Sequence, residues 1–247
     1  MRNSRTIIGL LLLLPTLFVL SCAKDGGKCF SNSGTVIVQE RAVPDFDSIA
    51  LYDNVDVILT QDTINRVSVE AGKNIIGGIT TQVVNNQLVI HNMNRCNWLR
   101  SYDTPINVYV SVRNIWKIRY ESAGNITSTN TIRSWYLKIE LWGGCGVIDL
   151  DVNVNDGFFI QQMGTADLIL RGLCKISSVY AGDFGKLQLG GLNTGYSFVK
   201  NNGTNDCYVS ASKYLDATVG SMGNIYYTGN PDTLYTHITG SGAVIPF

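Results

Sequence analysis

The sequence predicts an all-β protein folded as a right-handed parallel β-helix, a solenoid with coils of about 20 residues. Three observations carry that prediction. The first is a repeat. From Ser122 onward a Gly or polar residue precedes a short alternating apolar strand, and the first apolar positions are Ile126, Val147, Leu168, Leu187, Cys207, Ile225 and Val244. Their spacings are 21, 21, 19, 20, 18 and 19 residues, a period at which one supersecondary unit stacks on copies of itself. The second is strand periodicity. In Leu137-Lys138-Ile139-Glu140-Leu141 the apolar side chains fall on one face and the charged ones on the other, and no repeat contains a helical i, i+3, i+4 pattern. The third is glycine placement. Seven of the 25 Gly lie before residue 122 and eighteen after it, as expected for corners where the backbone turns with positive φ. An antiparallel sandwich also uses regular short strands, but it supplies no reason for equal intervals.

The elements follow in chain order. Residues 1–21 read as a lipoprotein signal peptide. Arg2 and Arg5 precede an apolar run over 6–20 broken only by Pro15, too short for the ~20 residues of a spanning helix. The closing Val19-Leu20-Ser21-Cys22 resembles the bacterial lipobox, which makes Cys22 the lipidation site and the new N-terminus. Lipid on Cys22 would hold the domain at a membrane surface. Asp does not immediately follow Cys22, so the outer membrane or cell surface is expected rather than the inner membrane, with the periplasmic face as the other orientation. Lys24-Asp25 resembles in part the short acidic surface-export signals of envelope lipoproteins. Residues 22–43 read as a tether with a strand near 35–40, and 44–247 as the solenoid domain. Within it, 45–121 reads as opening coils and end cover, because an open end would expose strand edges. Thr81-Gln82-Val83-Val84-Asn85-Asn86-Gln87-Leu88-Val89-Ile90-His91 has the pattern of a hairpin turning at Asn85-Asn86.

Composition narrows the function classes. With 19 basic and 19 acidic side chains and 15% charged residues, the chain is neither a disordered polyelectrolyte nor a basic nucleic-acid binder. Two His and the absence of C-x-x-C leave no metal motif, and no metal or cofactor is expected. Cys29, Cys96, Cys145, Cys174 and Cys207 read mostly as small buried hydrophobes, with a Cys29–Cys96 bridge allowed by an oxidising compartment.

The order Phe46-x-x-Ile49-x-Leu51, Asn54-Val55-Asp56-Val57-x-Leu59-x-Gln61, Val67-x-Val69-Glu70-Ala71 and Gln87-Leu88-Val89-Ile90 resembles the auto-transporter adhesin head family, the GIN domain. Ser122-Ala123-Gly124-Asn125-Ile126, residues 223–231 and Gly240-Ser241-Gly242-Ala243-Val244 are similar to that family's C-terminal elements. The resemblance spans roughly 44–245 and implies a secreted or lipid-anchored β-helical protein. Its motifs are structural rather than catalytic.

Two readings of function involve a ligand or substrate, and a third is a purely structural envelope protein with no soluble ligand. A binding or adhesion module for a glycan or protein surface ligand would use outward aromatics. Trp135, Tyr136 and Tyr235 lie within or beside the coil strands, as do the candidates Trp142, Tyr208, Tyr226 and Tyr227. A second candidate patch is the loop carrying Arg95, Trp98, Arg100 and Tyr102. The alternative is a carbohydrate-active enzyme, a polysaccharide lyase or glycosidase, built on the outward acids Asp149, Asp151, Asp167, Asp183, Asp206 and Asp216. Corner Asp residues also cap turns by bonding their own backbone. His91 and His237 have no matching nucleophile motif, so a non-enzymatic role is expected. Asp47-Ser48-Ile49, Asp62-Thr63-Ile64 and Asp232-Thr233-Leu234 resemble Asp-Ser/Thr-apolar O-glycosylation sites. The expected partners are a membrane, through the lipid, and a glycan or protein ligand; no nucleic acid is expected.

Overall fold

Period-two alternation forces each strand to bury one row of side chains, and a coil of three strands buries all three rows against one another. In the computed structural model, which describes residues 32–95 and 104–247, this is how the chain is wound. From β8 (Lys117–Ser122) and β9 (Ile126–Ser128) the coils continue through β10 (Ile132–Gly144), β11 (Val147–Gln161), β12 (Asp167–Ala181) and β13 (Leu187–Gln188). They run on through β14 (Leu192–Asn201), β15 (Cys207–Ser210), β16 (Tyr214–Val219), β17 (Ile225–Thr228), β18 (Thr233–Ile238) and β19 (Val244–Pro246).

Every contact between successive coils is a parallel ladder, and three faces result. Face I carries β8, the end portions of β10, β11, β12 and β14, then β16 and β18. Face II carries β9, the beginnings of β11 and β12, then β13, β15, β17 and β19. Face III is shorter and carries the start of β10, the middle of β11 and β12, and the start of β14.

The core is a set of stacks. On face I, Ile49, Ile118, Ile139, Phe159, Val179, Val199 and Ala217 occupy equivalent rungs, all buried. On face II the stack is Ile126, Ile148, Leu168, Leu187, Cys207, Ile225 and Val244. Ile148 replaces Val147 as the inward residue of its coil. Val147 stands one position outside the stack, half-buried, where its N–H donates to the Asn125 side chain at 2.9 Å. The Cys174 and Cys207 thiols are buried, and burial pushes both up to about 12. Cys145 is exposed and free; a Cys29–Cys96 pairing lies outside the described residues.

One inward row departs from the apolar rule. It reads Tyr120, Leu141, Gln161, Ala181, Asn201 and Val219, with a polar side chain in every second coil. The Tyr120 hydroxyl donates to the Gly124 carbonyl at 2.6 Å and accepts from the Gly146 N–H at 3.0 Å. Burial raises this phenol to about 12. Asn201 donates to the Asn205 and Asn224 carbonyls, each at 3.0 Å, and accepts from the Gly203 N–H at 2.9 Å. Gln161 donates to the Ala166 carbonyl at 3.1 Å. These side chains add hydrogen bonds to corner backbone groups, among them the Gly146 and Gly203 N–H.

The corner glycines have two causes, and positive φ, the one the sequence suggests, accounts for Gly143, Gly144, Gly164 and Gly229. Gly164 does turn with φ of 96°. Gly146, however, is not among the positive-φ residues; a Cβ there would lie 2.2 Å from the Gly124 carbonyl oxygen. Close approach of one coil's backbone to the next, rather than handedness, excludes a side chain at this corner.

The opening segment covers one end, with strands stacked out of chain order. β2 (Ser48–Asp53) and β3 (Asp56–Gln61) form the coil next to β8 and β9. β6 (Gln87–Asn92) and β7 (Asn107–Val112) then form a coil outside that one, so the chain returns across β2–β3 to begin β8. β4 (Arg66–Gly72) runs antiparallel to β7, and β1 (Val36–Arg41) antiparallel to β4. β1 falls where a strand was expected within the tether, and its pairing makes it part of the cap. β5 (Ile79–Val84) and β6 form the expected hairpin, with Asn85 and Asn86 at φ of 51° and 60°, the left-handed pair of a type I′ turn. At the far end β18 is exposed along its whole length. Among the described residues no helix is long and apolar enough to cross a membrane.

Removing the Phe159 ring leaves a cavity in the face I stack. Phe159→Ala is expected to cost about 3–5 kcal/mol, and Tyr120→Phe, which strips partners from two buried backbone groups, about 1–3 kcal/mol. Urea unfolding monitored by circular dichroism reads both.

Candidate binding surface

The alternation that buries Leu137, Ile139 and Leu141 turns Tyr136, Lys138, Glu140 and Trp142 outward on face I. Rings in neighbouring coils meet diagonally rather than on one rung, since Tyr136 is paired with Asp156, Phe198 with Asp216 and Tyr214 with Thr233, and two ladders result. Trp116, Tyr136 and Phe158 follow one another at centroid distances of 6.3 and 5.2 Å. Phe198, Tyr214 and Tyr235 do so at 5.6 and 5.7 Å. The Arg119 guanidinium lies over the Trp142 ring at 5.3 Å. Between the ladders and this pair sits Glu140, 9% exposed and bridged by Lys117 at 2.7 Å and Lys138 at 2.6 Å.

On face II, Tyr208 and Tyr226 stack at 5.0 Å with the Phe247 ring edge-on to both. Tyr227, one residue on, points the other way and packs against the core. It is thus not an outward contact residue, because alternation assigns neighbours to opposite faces. Arg95 is exposed where the described chain breaks off. Trp98, Arg100, Tyr102 and Cys22 lie outside the described residues.

The corner acids do not converge. Asp167 accepts the Lys186 N–H at 2.8 Å, Asp206 the Asn224 N–H at 3.0 Å, and Asp183 the Gly164 N–H at 2.7 Å. Each therefore fastens a neighbouring coil, not its own turn as expected. Asn125 and Asn224 do the same, accepting from Val147 and Ala243 at 2.9 Å each. Asp149 and Asp151 are both engaged by Arg171. His91 stacks on Tyr52 at 4.5 Å and bonds Asp53 at 3.0 Å. Among the described residues no cluster of His, Cys, Asp and Glu could hold a metal ion. Of the Asp-Ser/Thr-apolar sites, Ser48 is buried and bonded to the Asn86 carbonyl, so modification there is sterically closed; Thr63 and Thr233 are exposed.

A further feature went unread in the sequence. Face III and its bend toward face I enclose a shallow groove of about 700 Å³, lined by Asn114, Arg133, Trp135, Asn153, Asn155 and Lys175 among others. Two parallel rows build it. Arg133, Asn153, Leu173 and Asn193 occupy one outward register. Trp135, Asn155 and Lys175 lie at the bend, each between two paired residues. The signal existed, since Asn and basic residues recur at coil spacing, but only the bend makes the two rows concave.

The chain is a β-solenoid with one covered end and outward ring ladders. A family model described as "Putative auto-transporter adhesin, head GIN domain" matches residues 45–231, and the chain belongs to this family. Solved structures agree in fold. A "putative adhesin" from Bacteroides fragilis superposes with a TM-score of 0.79 at 20% identity, covering 86% of this chain and 97% of that one. A "putative lipid binding protein" from Parabacteroides distasonis gives 0.65 at 16% identity, with 87% and 98% covered. A "putative adhesin" from Parabacteroides merdae gives 0.64 at 13%, with the same coverage. No curated protein matches the sequence.

Glu140 makes the face I surface acid-sensitive. Burial alone would raise its carboxyl, but hydrogen bonds and charge from Lys117 and Lys138 outweigh burial and hold it below its ordinary 4.5. A depressed carboxyl contributes stability that is complete above about pH 4.5 and lost as pH falls below it. Glu140→Gln is expected to lower the urea midpoint at pH 7, with a smaller difference from wild type at pH 3. An equal difference at both pH values contradicts this assignment.

Proposed function

We propose that this protein is an envelope lipoprotein, anchored through Cys22 to the outer membrane, whose solenoid binds a glycan or protein surface ligand without chemistry. The observation that carries the reading is the division of labour among outward side chains. Rings are left at the surface, while the acids that a lyase or glycosidase would need are spent on neighbouring coils. Outward Tyr and Trp bind with little loss of rotamer entropy and suit both sugar rings and protein partners. Trp142, Tyr208 and Tyr226 are the contact residues proposed on the coils, and Arg95, Trp98, Arg100 and Tyr102 those on the loop. Membership of an adhesin-head family supports the same reading, as do the basic start, short apolar run and lipobox-like Cys22.

Two measurements test it. Cys22→Ala is expected to move the protein from the membrane pellet to the soluble fraction of lysed cells, and unchanged partition refutes the anchor. Full-length protein in detergent, applied to an array of glycans and host-surface proteins, is expected to retain a subset of them with unaltered mass. A shortened product from a retained glycan overturns the non-catalytic reading, and retention of nothing overturns binding itself.

A further inference from the structure

We infer that the face III groove is a saccharide site for an extended glycan bearing carboxylates, lying along the solenoid axis with one ring on Trp135. The inference rests on the binding reading above and assigns it a place and a ligand chemistry.

Trp135 carries the first part of the argument. Its side chain is 75% exposed, and among the described residues it stacks on no other ring, unlike the face I and face II aromatics that partly cover one another. A bare indole on a bend, beside the half-exposed Leu173, offers a flat apolar platform to the C–H face of a pyranose. Asn114, Asn153, Asn155 and Asn193 surround it. An amide presents both a donor and an acceptor, which is what hydroxyls at varying orientation require. An apolar protein surface would leave the Asn114, Asn153 and Asn193 amides without partners.

Charge selects among saccharides. Arg133 and Lys175 line the groove, and no carboxylate does. Among the described residues neither cation makes an ion pair, whereas Arg66, Arg113, Arg119, Lys117, Lys138 and Arg171 all do. Asp156, next in sequence to a lining residue, is turned to the Asn155 amide at 2.7 Å. Two uncommitted cations two coils apart match carboxylates spaced along a polymer. The rung repeat of about 4.8 Å is close to the length of one sugar unit in an extended chain, so successive units would meet successive coils in similar surroundings.

The test uses full-length protein in detergent with oligogalacturonate and oligomannuronate as probes and their carboxyl-reduced forms as neutral controls. The acidic forms are expected to bind, the reduced forms about tenfold more weakly or worse, and added salt to narrow the gap. Trp135→Ala is expected to weaken binding of the acidic forms about tenfold with an unchanged melting temperature, the side chain being exposed. Arg133→Gln combined with Lys175→Gln is expected to abolish the preference for acid over reduced form. Equal binding of both forms by wild type overturns the inference. Binding that survives Trp135→Ala but is lost in Tyr226→Ala also overturns it, while leaving the binding module standing. If wild type binds neither form, the inference falls. Retention of host-surface protein by the same preparation then upholds the binding reading, and failure to retain it brings that reading down too.

Discussion

The parallel backbone ladder between coils is the constraint on which everything else in this protein depends. It holds each residue about 4.8 Å above its equivalent in the coil before, so side chains are sorted into rows rather than placed one at a time. Inward rows become the stacks through Ile139 and Phe159 and through Ile148 and Leu168. A ladder this close leaves no room for a side chain where two corners meet, which explains Gly146 above Gly124. It also leaves corner N–H and carbonyl groups unpaired. Tyr120, Gln161 and Asn201 reach them from inside, and Asp167, Asp206 and the two Asn from outside. Interior polar groups thus extend the ladder round the corner at sites where an apolar residue would leave buried backbone unsatisfied.

The same sorting shapes the surface. Successive coils lie close enough for a ring in one to reach a ring on a neighbouring rung of the next, and the diagonal ladders from Trp116 to Phe158 and from Phe198 to Tyr235 follow. Carboxylates in outward corner rows are drawn to the adjacent N–H groups. This accounts for their dispersal, since an acid bonded to the next coil is not free to join an acid two coils away. A solenoid of this kind presents an extended, repeating surface.

The two ends obey the ladder differently. At the start, a parallel coil would present an open edge, and the chain avoids this by placing β6 and β7 outside β2 and β3, running β4 antiparallel to β7 and β5 antiparallel to β6, and laying β1 against β4. Antiparallel strands end a parallel stack because their hydrogen-bond pattern does not propagate the coil. At the other end β18 keeps the coil pattern and is exposed throughout.

By itself the sequence determined the coil. Equal spacing of Ile126, Leu168, Leu187, Cys207, Ile225 and Val244 could be read without coordinates because a parallel ladder demands a repeat, and a repeat is a one-dimensional property. The Asn85-Asn86 hairpin was legible for a similar reason, its turn being set by adjacent residues. The tertiary structure alone decided Ile148 over Val147, where alternation allows either and the pairing with Ile126 and Leu168 chooses. It alone reversed the order of the opening coils and closed Ser48 to modification. It also brought Arg133, Asn153, Trp135 and Lys175 into one groove. Each of these depends on which strand lies beside which and where the chain bends, and neither is written in the spacing of residues along a single strand.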